Sequence, residues 1–470
     1  MARLVVVSNR LPLPSERGPR AGGLAVALHD ALVPGSLWCG WSGRRVETPD
    51  ELPQLMQADG LTYATIDMTE AEYRAYYIGF ANGALWPLLH FRLGLMTFRR
   101  EEYAGYRAVN LRFARAVVSQ LQPDDLIWVH DYHLIPLAQE LRRLGVRNRI
   151  GYFLHIPFVP PDVLEVLPCA DDLLRALAAY DVVGFHTERY RRAFLNCLRH
   201  MLGVGSDADG CFASNGGMAR AIVDPIGIDT DAFANDAVRA ARGAEARRLR
   251  DSLGDRALAI GVDRLDYSKG LTNRFVSYGR LFASYPEHRR AVNFLQIAAR
   301  SREDNSDYQA LRRELDRIVG DTNGRYSEFD WIPIRYITRA MSRRTLAGFH
   351  RIARVGVVTP LRDGMNLVAL EFVAAQNPND PGVLVLSRFA GAAAAMTDAL
   401  IVNPFDPDAI AEAMHQALTM GLEERRARHQ ALLATIRKTT AQRYCEVFLD
   451  ALSRAPLPRA AEVAVHSDAG

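Results

Sequence analysis

The chain has 470 residues, 49% of them hydrophobic and 24% charged, the balance of a compact globular protein of about two domains rather than a disordered or fibrous one. Lys and Arg number 57 against 54 Asp and Glu, a formal +3 spread along the chain, which argues against a nucleic-acid partner because that requires a concentrated basic face. No apolar run approaches the ~20 residues that span a bilayer, so no membrane partner is expected, and five widely spaced cysteines without a C-x-x-C pair fit a reducing, cytoplasmic setting.

In chain order, Met1 leads straight into the first strand-like run, Leu4 to Ser8, with no room for a leader peptide. Further short apolar runs ending in polar residues follow at Leu126 to His130, Ile150 to His155 and Val182 to His186. Between them lie helical patterns at Asn110 to Gln122, Leu134 to Leu144 and Asp171 to Tyr180. The segment Ala221 to Phe233, with Pro225 and Gly227, reads as the exit from this unit. A second set of strands is predicted at Ala257 to Val262, Asn293 to Ala298, Val355 to Thr359, Val383 to Ser387 and Ala399 to Val402. Glu423 to Arg454 reads as helix, and the Ala- and Pro-rich 455–470 as a disordered tail. The alternation predicts an α/β protein with two doubly wound units, 1–228 and 229–434.

Ligands in such sheets gather beyond the carboxyl ends of the strands. There the sequence places Arg10 before Gly22-Gly23, Arg264 and Lys269 before a helix, and Asp363, Gly364, Met365, Asn366 and Leu367 at the start of the helix carrying Glu371. Cations, glycine-opened turns and helix-start amides suit a diphosphate, and carboxylates suit sugar hydroxyls. The bland alternatives are a solvated Arg10, Arg264 and Lys269 paired with Asp263 and Asp266, and Asp363 as a helix cap. Asp131 and His155 read as sugar contacts, with core hydrogen bonding as the alternative for His130 and His133. No metal ligation is expected at these histidines, because no helical H-x-x-x-H pair accompanies them. The D-x-D triplets Asp207/Asp209, Asp229/Asp231 and Asp406/Asp408 sit where caps and turns explain them. Trp38, Trp41, Tyr76, Tyr77 and Trp86 form an aromatic region suited to core packing or to sugar faces.

Taken in order, SNRLPLP…AGGLAVAL, WCGWSG, ALWPLLH, WVHDYHLIPLA, YFLHIPFVPP, GFHTERYRRAFL, PIGID, VDRLDYSKGL, VTPLRDGMNLVALEF and NPFD resemble the trehalose-6-phosphate synthase family over roughly residues 3 to 450. The resemblance implies a GT-B fold, two Rossmann-like domains facing across a cleft, with the C-terminal helix, about 435–454, crossing back to the first. It implies transfer of glucose, with retention, from a nucleotide donor, UDP-glucose above all, to glucose 6-phosphate, without metal or other cofactor. Carried over by motif, Arg10, Tyr77, Trp86, Asp131 and Arg302 would hold the acceptor. Gly22, Gly23, His155, Arg264, Lys269, Met341, Asp363 to Leu367 and Glu371 would hold the donor, Met341 through its backbone. Catalysis would rest on Asp131, His155, Arg264, Lys269 and Asp363 through a front-face route, the departing phosphate taking the acceptor proton.

Two departures stand out: Leu370 replaces a usual Lys, and the run Ala298 to Arg302 lacks the usual proline, leaving Arg300 as a rival to Arg302. The nucleotide base is not legible, and relatives suggest a homotetramer or homodimer. The competing readings are a glucosylglycerol-phosphate synthase, which changes the acceptor, and a catalytically silent sugar-phosphate-binding regulator.

Overall fold

The computed structural model describes residues 2–14, 32–214, 217–302 and 306–457. The expected glycine pair Gly22 and Gly23, most of the loop before it and all but the first residues of the expected tail lie outside them. The described chain forms two compact units. One contains β1 and Leu32–Asp224, joined by the chain from Glu446; the other is Pro225–Cys445.

The first unit is built on a nine-stranded sheet: β1 (Leu4–Arg10), β2 (Leu37–Arg45), β3 (Gln54–Ala58), β4 (Leu61–Met68), β5 (Leu126–His130), β6 (Ile150–Leu154), β7 (Val182–Phe185), β8 (Cys211–Ser214) and β9 (Gly217–Val223). Their spatial order is β3-β4-β2-β1-β5-β6-β7-β9-β8. The pairs β3/β4 and β8/β9 are antiparallel edges, and every other neighbour is parallel. Its central strands are apolar on both faces, as a sheet covered by helices on both sides must be, and Val5, Val6, Val7, Ile127, Trp128 and Val129 are all buried. One helical cover comes from the end of the chain. In the last helix, Ala441–Arg454, Phe448 stacks on Trp128 at 4.6 Å and 13°. Gly151 makes room for it, because a Cβ there would stand 2.5 Å from the Phe448 ring.

Six parallel strands form the sheet of the second unit: β10 (Ala257–Arg264), β11 (Val292–Ala299), β12 (Ile334–Ile337), β13 (Val355–Val358), β14 (Val383–Ser387) and β15 (Leu400–Val402), in the order β12-β11-β10-β13-β14-β15. Order reverses between β10 and β13, the switch point at which strand ends open outward. A buried ionic brace holds that point. Arg274, fully buried, donates to Asp263 at the end of β10, to Gln296 Oε1 of β11 at 2.9 Å, to Thr359 Oγ1 just beyond β13 at 3.0 Å and to the Lys269 carbonyl at 3.2 Å. Among the described residues no helix is long and apolar enough to cross a membrane.

Candidate functional site

In the first unit β1 ends in Ser8-Asn9-Arg10, and its register sets Arg10 beside Trp41 of β2. The Arg10 guanidinium lies 5.6 Å from the Trp41 ring centre and over Gly43, where a Cβ would meet Arg10 Nη2 at 2.6 Å. Gly43 also has φ +89°, so a side chain is disfavoured there twice over. Trp41 continues an aromatic wall with Tyr73 and Tyr77, ring centres at 5.4 and 6.3 Å. Tyr77 in turn lies flat on His133 at 5.7 Å and 8°.

Both tyrosines belong to a π-helix, Tyr73–Leu85, entered from a capping box in which Thr69 and Glu72 each satisfy the other's backbone N–H. A π-helix of this length is unusual, since most are single turns found at functional positions. It is pinned to the β1 end, where the buried Tyr76 hydroxyl donates to Asn9 Oδ1 at 2.8 Å. Trp86 follows at the start of the next helical turn, 4% exposed, with its ring against His90 and Tyr132.

Beyond β5 and β6 the structure brings Asp131 and His155 together: the His155 N–H donates to Asp131 Oδ1 at 3.3 Å. Asp131 has φ 74° and ψ 167°, a region essentially reserved for glycine. Its own N–H donates to Phe153 O at 2.8 Å, which helps hold the strained conformation. His155 Nε2 meets His130 Nδ1 at 3.0 Å. Burial holds His130 down to about 3. Burial, and then the neighbours His130 and His186, hold His155 well below the usual imidazole range. These rings are therefore neutral hydrogen-bonding groups at pH 7. His130 is fully buried and its Nδ1 is engaged by the His155 ring.

In the second unit Arg264 ends β10, and Lys269 closes the short turn Tyr267–Lys269 ahead of the helix Leu271–Ser284. The ion pairs here differ from the bland expectation. Lys269 Nζ contacts Asp363 Oδ2 at 2.5 Å, whereas Asp263 is taken by Arg274 and Asp266 by Arg302. Asn366 Nδ2 also donates to Asp363 Oδ2, at 3.0 Å. Asp363 is not the helix cap. That position falls to Asn366, at φ 74°, with no side-chain capping bond, before the helix Leu367–Ala375. The loop is anchored by the Leu361 N–H on Ser268 O at 2.8 Å and the Asp363 N–H on Phe389 O at 3.1 Å. Gly364 and Met365 are buried in it, the Gly364 carbonyl against Gly391, where any Cβ would collide with it.

One turn into that helix, Glu371 Oε1 lies 3.6 Å from Arg343 Nε. Burial pushes the Glu371 carboxyl up to about 7, against the opposing pull of Arg343. Arg343 opens the helix Arg343–Ile352, which Ser342 caps and Met341 precedes. Leu370 is 1% exposed. The position where a Lys was expected is thus a dry core site in this chain.

Arg302, at φ 53°, has its side chain turned inward. It donates to Tyr308 OH at 2.5 Å and to Asp266 Oδ2 at 3.5 Å, while Arg300 is exposed. Tyr308 and Asp266 were not singled out in the sequence as a support for Arg302. Neither was Trp41 as a neighbour of Arg10, although it was noted among the aromatics. Of the six described non-glycine residues with positive φ, three are Asp131, Arg302 and Asn366, so backbone strain is concentrated at the expected site positions. The D-x-D carboxylates do serve as caps and turns: Asp229 accepts from the Ala232 N–H, Asp406 from the Asp408 and Ala409 N–H groups, and Asp207 from the Cys211 N–H.

Residues 2–454 match Glycosyltransferase family 20. A trehalose-6-phosphate synthase of Sinorhizobium fredii is 48% identical, covering 96% of this chain and 98% of its own. The crystal structure of an alpha,alpha-trehalose-phosphate synthase (UDP-forming) from Burkholderia vietnamiensis superposes with a TM-score of 0.94 at 47% identity, covering 97% of each chain. One from Burkholderia xenovorans, in complex with glucose-6-phosphate, reaches 0.93 at 45% identity, covering 96% of this chain and all of its own. The two parallel-sheet units are of the GT-B class, and this chain belongs to glycosyltransferase family 20.

Proposed function

We propose that this chain is an α,α-trehalose-phosphate synthase that transfers glucose from UDP-glucose to glucose 6-phosphate with retention. The reading is carried by one observation. Lys269, Asp363 and Asn366 are tied together beyond the parallel strands β10 and β13, at the switch point where such sheets bind nucleotides. Arg264 and Lys269 would take the diphosphate, with the Gly364 to Leu367 backbone. Asp363 would accept glucose hydroxyls, Glu371 ribose hydroxyls, and Met341 would meet the base through its backbone. Arg10, Tyr77, Trp86, Asp131 and Arg302 would hold the acceptor, with His155 a neutral donor-sugar contact.

As the bond from C1 to the diphosphate oxygen breaks, the acceptor hydroxyl bonds to C1 from the same face. Its proton passes to the departing phosphate oxygen. The protein's own contribution is alignment and stabilisation of the charge growing on the leaving group. Four of the five cysteines are buried and all are free thiols, which supports a reducing, cytoplasmic setting.

The test crosses UDP-, GDP- and ADP-glucose with glucose 6-phosphate and glycerol 3-phosphate on the purified chain. Release of UDP with formation of trehalose 6-phosphate is expected. Turnover on glycerol 3-phosphate alone would make it a glucosylglycerol-phosphate synthase, and no turnover on any pair would make it a silent binder. Arg302→Ala raising the glucose 6-phosphate KM more than Arg300→Ala does would assign the phosphate to Arg302.

A further inference from the structure

The helix that begins behind Lys269 ends at Tyr285, and the turn Pro286–His288 that follows brings two donor side chains beside a third on the helix Pro407–Thr419. His288 Nε2 faces His415 Nδ1 at 2.9 Å, and Glu287 Oε1 lies 3.7 Å from the same His415 nitrogen. All three donor atoms fall within 4.8 Å of one another, the one such group of His, Cys, Asp or Glu among the described residues. None of the three has a part in the transfer chemistry.

We infer that Glu287, His288 and His415 form a binding site for a borderline divalent transition-metal ion, zinc in the first place, with solvent completing the coordination. Tetrahedral zinc with bonds of about 2.0–2.1 Å spaces its ligand atoms about 3.3–3.4 Å apart. The two nitrogens, 2.9 Å apart, must therefore open by a few tenths of an ångström and the Glu287 oxygen must close on His415 Nδ1 from 3.7 Å, all three donor atoms starting within 4.8 Å of one another. The donor set decides the ion. Magnesium and calcium take oxygen ligands, whereas two imidazoles with one carboxylate suit zinc, copper or nickel.

The ligands are also held in place beforehand, which lowers the cost of assembling them. The His415 ring is stacked flat on Tyr285 at 3.9 Å and 7°. His288 is 7% exposed, and its backbone is fixed by its N–H on Tyr285 O and by its carbonyl, which accepts from the Ala291 N–H, both at 3.1 Å. Entry from solvent is open, since the Glu287 side chain is 58% exposed and that of His415 28%. Bound metal would join the ends of two helices of the second unit that pack against each other, stabilising that unit without touching Lys269 or Asp363.

The same nitrogen pair would serve equally as a proton-sharing histidine pair with no metal, and titration separates the two. The full-length, untagged chain is stripped with a chelator, dialysed and titrated with zinc by calorimetry, with thermal unfolding followed in parallel. Saturable one-to-one binding at micromolar zinc and a rise in unfolding temperature are expected. His415→Ala and Glu287→Gln, at the solvent side of the cluster, should each weaken binding by about tenfold or more while glycosyl transfer stays at the level of the parent chain. Absence of saturable binding, or unchanged affinity and stoichiometry in His415→Ala, overturns the proposal.

Discussion

At the residue scale, Lys269 is paired with Asp363. A cation needed only for stability would be matched by any carboxylate, and the nearer ones in sequence, Asp263 and Asp266, are committed to Arg274 and Arg302. Lys269 is instead paired across the strand ends, where, on the proposed function, an incoming diphosphate would exchange for Asp363. Lys269→Ala is therefore expected to lower kcat by about a hundredfold or more while the thermal midpoint moves only a few degrees; steady-state kinetics and a melting curve check both. Asp131 gives a sharper separation of function from stability. Its φ of 74° with ψ of 167° carries a strain of about 1–3 kcal/mol that glycine relieves and alanine keeps. Urea unfolding should find Asp131→Gly about 1 kcal/mol more stable than Asp131→Ala, with transfer lost in both. Equal stability would mean that the strain is not there.

At the scale of elements, the helix Leu367–Ala375 couples fold to pH through Glu371. Its carboxyl, at about 7 in the fold against 4.5 ordinarily, keeps a proton that the unfolded chain gives up. Stability is thus expected to fall as pH rises from about 4.5 to 7 and to stay level above that, by about 3 kcal/mol. Glu371→Gln should remove this dependence, which denaturant unfolding at pH 5 and pH 8 measures. On the proposed ribose contact the carboxylate is the binding form of Glu371, so the donor KM should drop as pH rises through about 7 in the parent chain and stay flat in the variant. Much at this scale was legible in the sequence. Both predicted sets of strands are present, because short β-branched runs ending in polar residues carry their own signal. The strands β2, β3, β4, β8, β9 and β12 were not predicted. WCGWSGRR in β2 mixes glycine, tryptophan and charge, and its strand character comes from pairing with β1 and β4 rather than from propensity. The π-helix was equally hidden, since YRAYYIGFANGAL has no periodicity that distinguishes it from an α-helix. The motif residues themselves were readable, but their partners, Asp266 with Arg302 or Arg343 with Glu371, come from separate segments that only the fold brings together.

For the whole molecule, the informative feature is where the chain ends. The stretch from about Glu423 to Arg454, predicted helical, is two helices, Leu422–Ile436 and Ala441–Arg454. The division between the units falls inside the second of these helices, residues from Glu446 onward belonging to the first unit and the preceding ones to the second. Phe448 is the residue that fastens the return. It is fully buried, flat against Trp128 and edge-on to Phe153, over two glycines, Gly151 and Gly184, whose missing side chains form its seat. Truncating it removes the ring and leaves a cavity that glycine-floored strands have no side chains to fill. Phe448→Ala should therefore cost the first unit about 3–5 kcal/mol, whereas Arg274→Met, which strands the buried Asp263 carboxylate, should cost the second unit a similar amount. Addition of UDP decides which unit each variant weakens. A ligand at a hundred times its dissociation constant stabilises only the unit that binds it, by about 2.7 kcal/mol. If the second unit carries the nucleotide, UDP should raise the unfolding temperature of Arg274→Met and leave the early transition of Phe448→Ala where it is. Rescue of Phe448→Ala by UDP to the same extent would mean that the two units unfold as one.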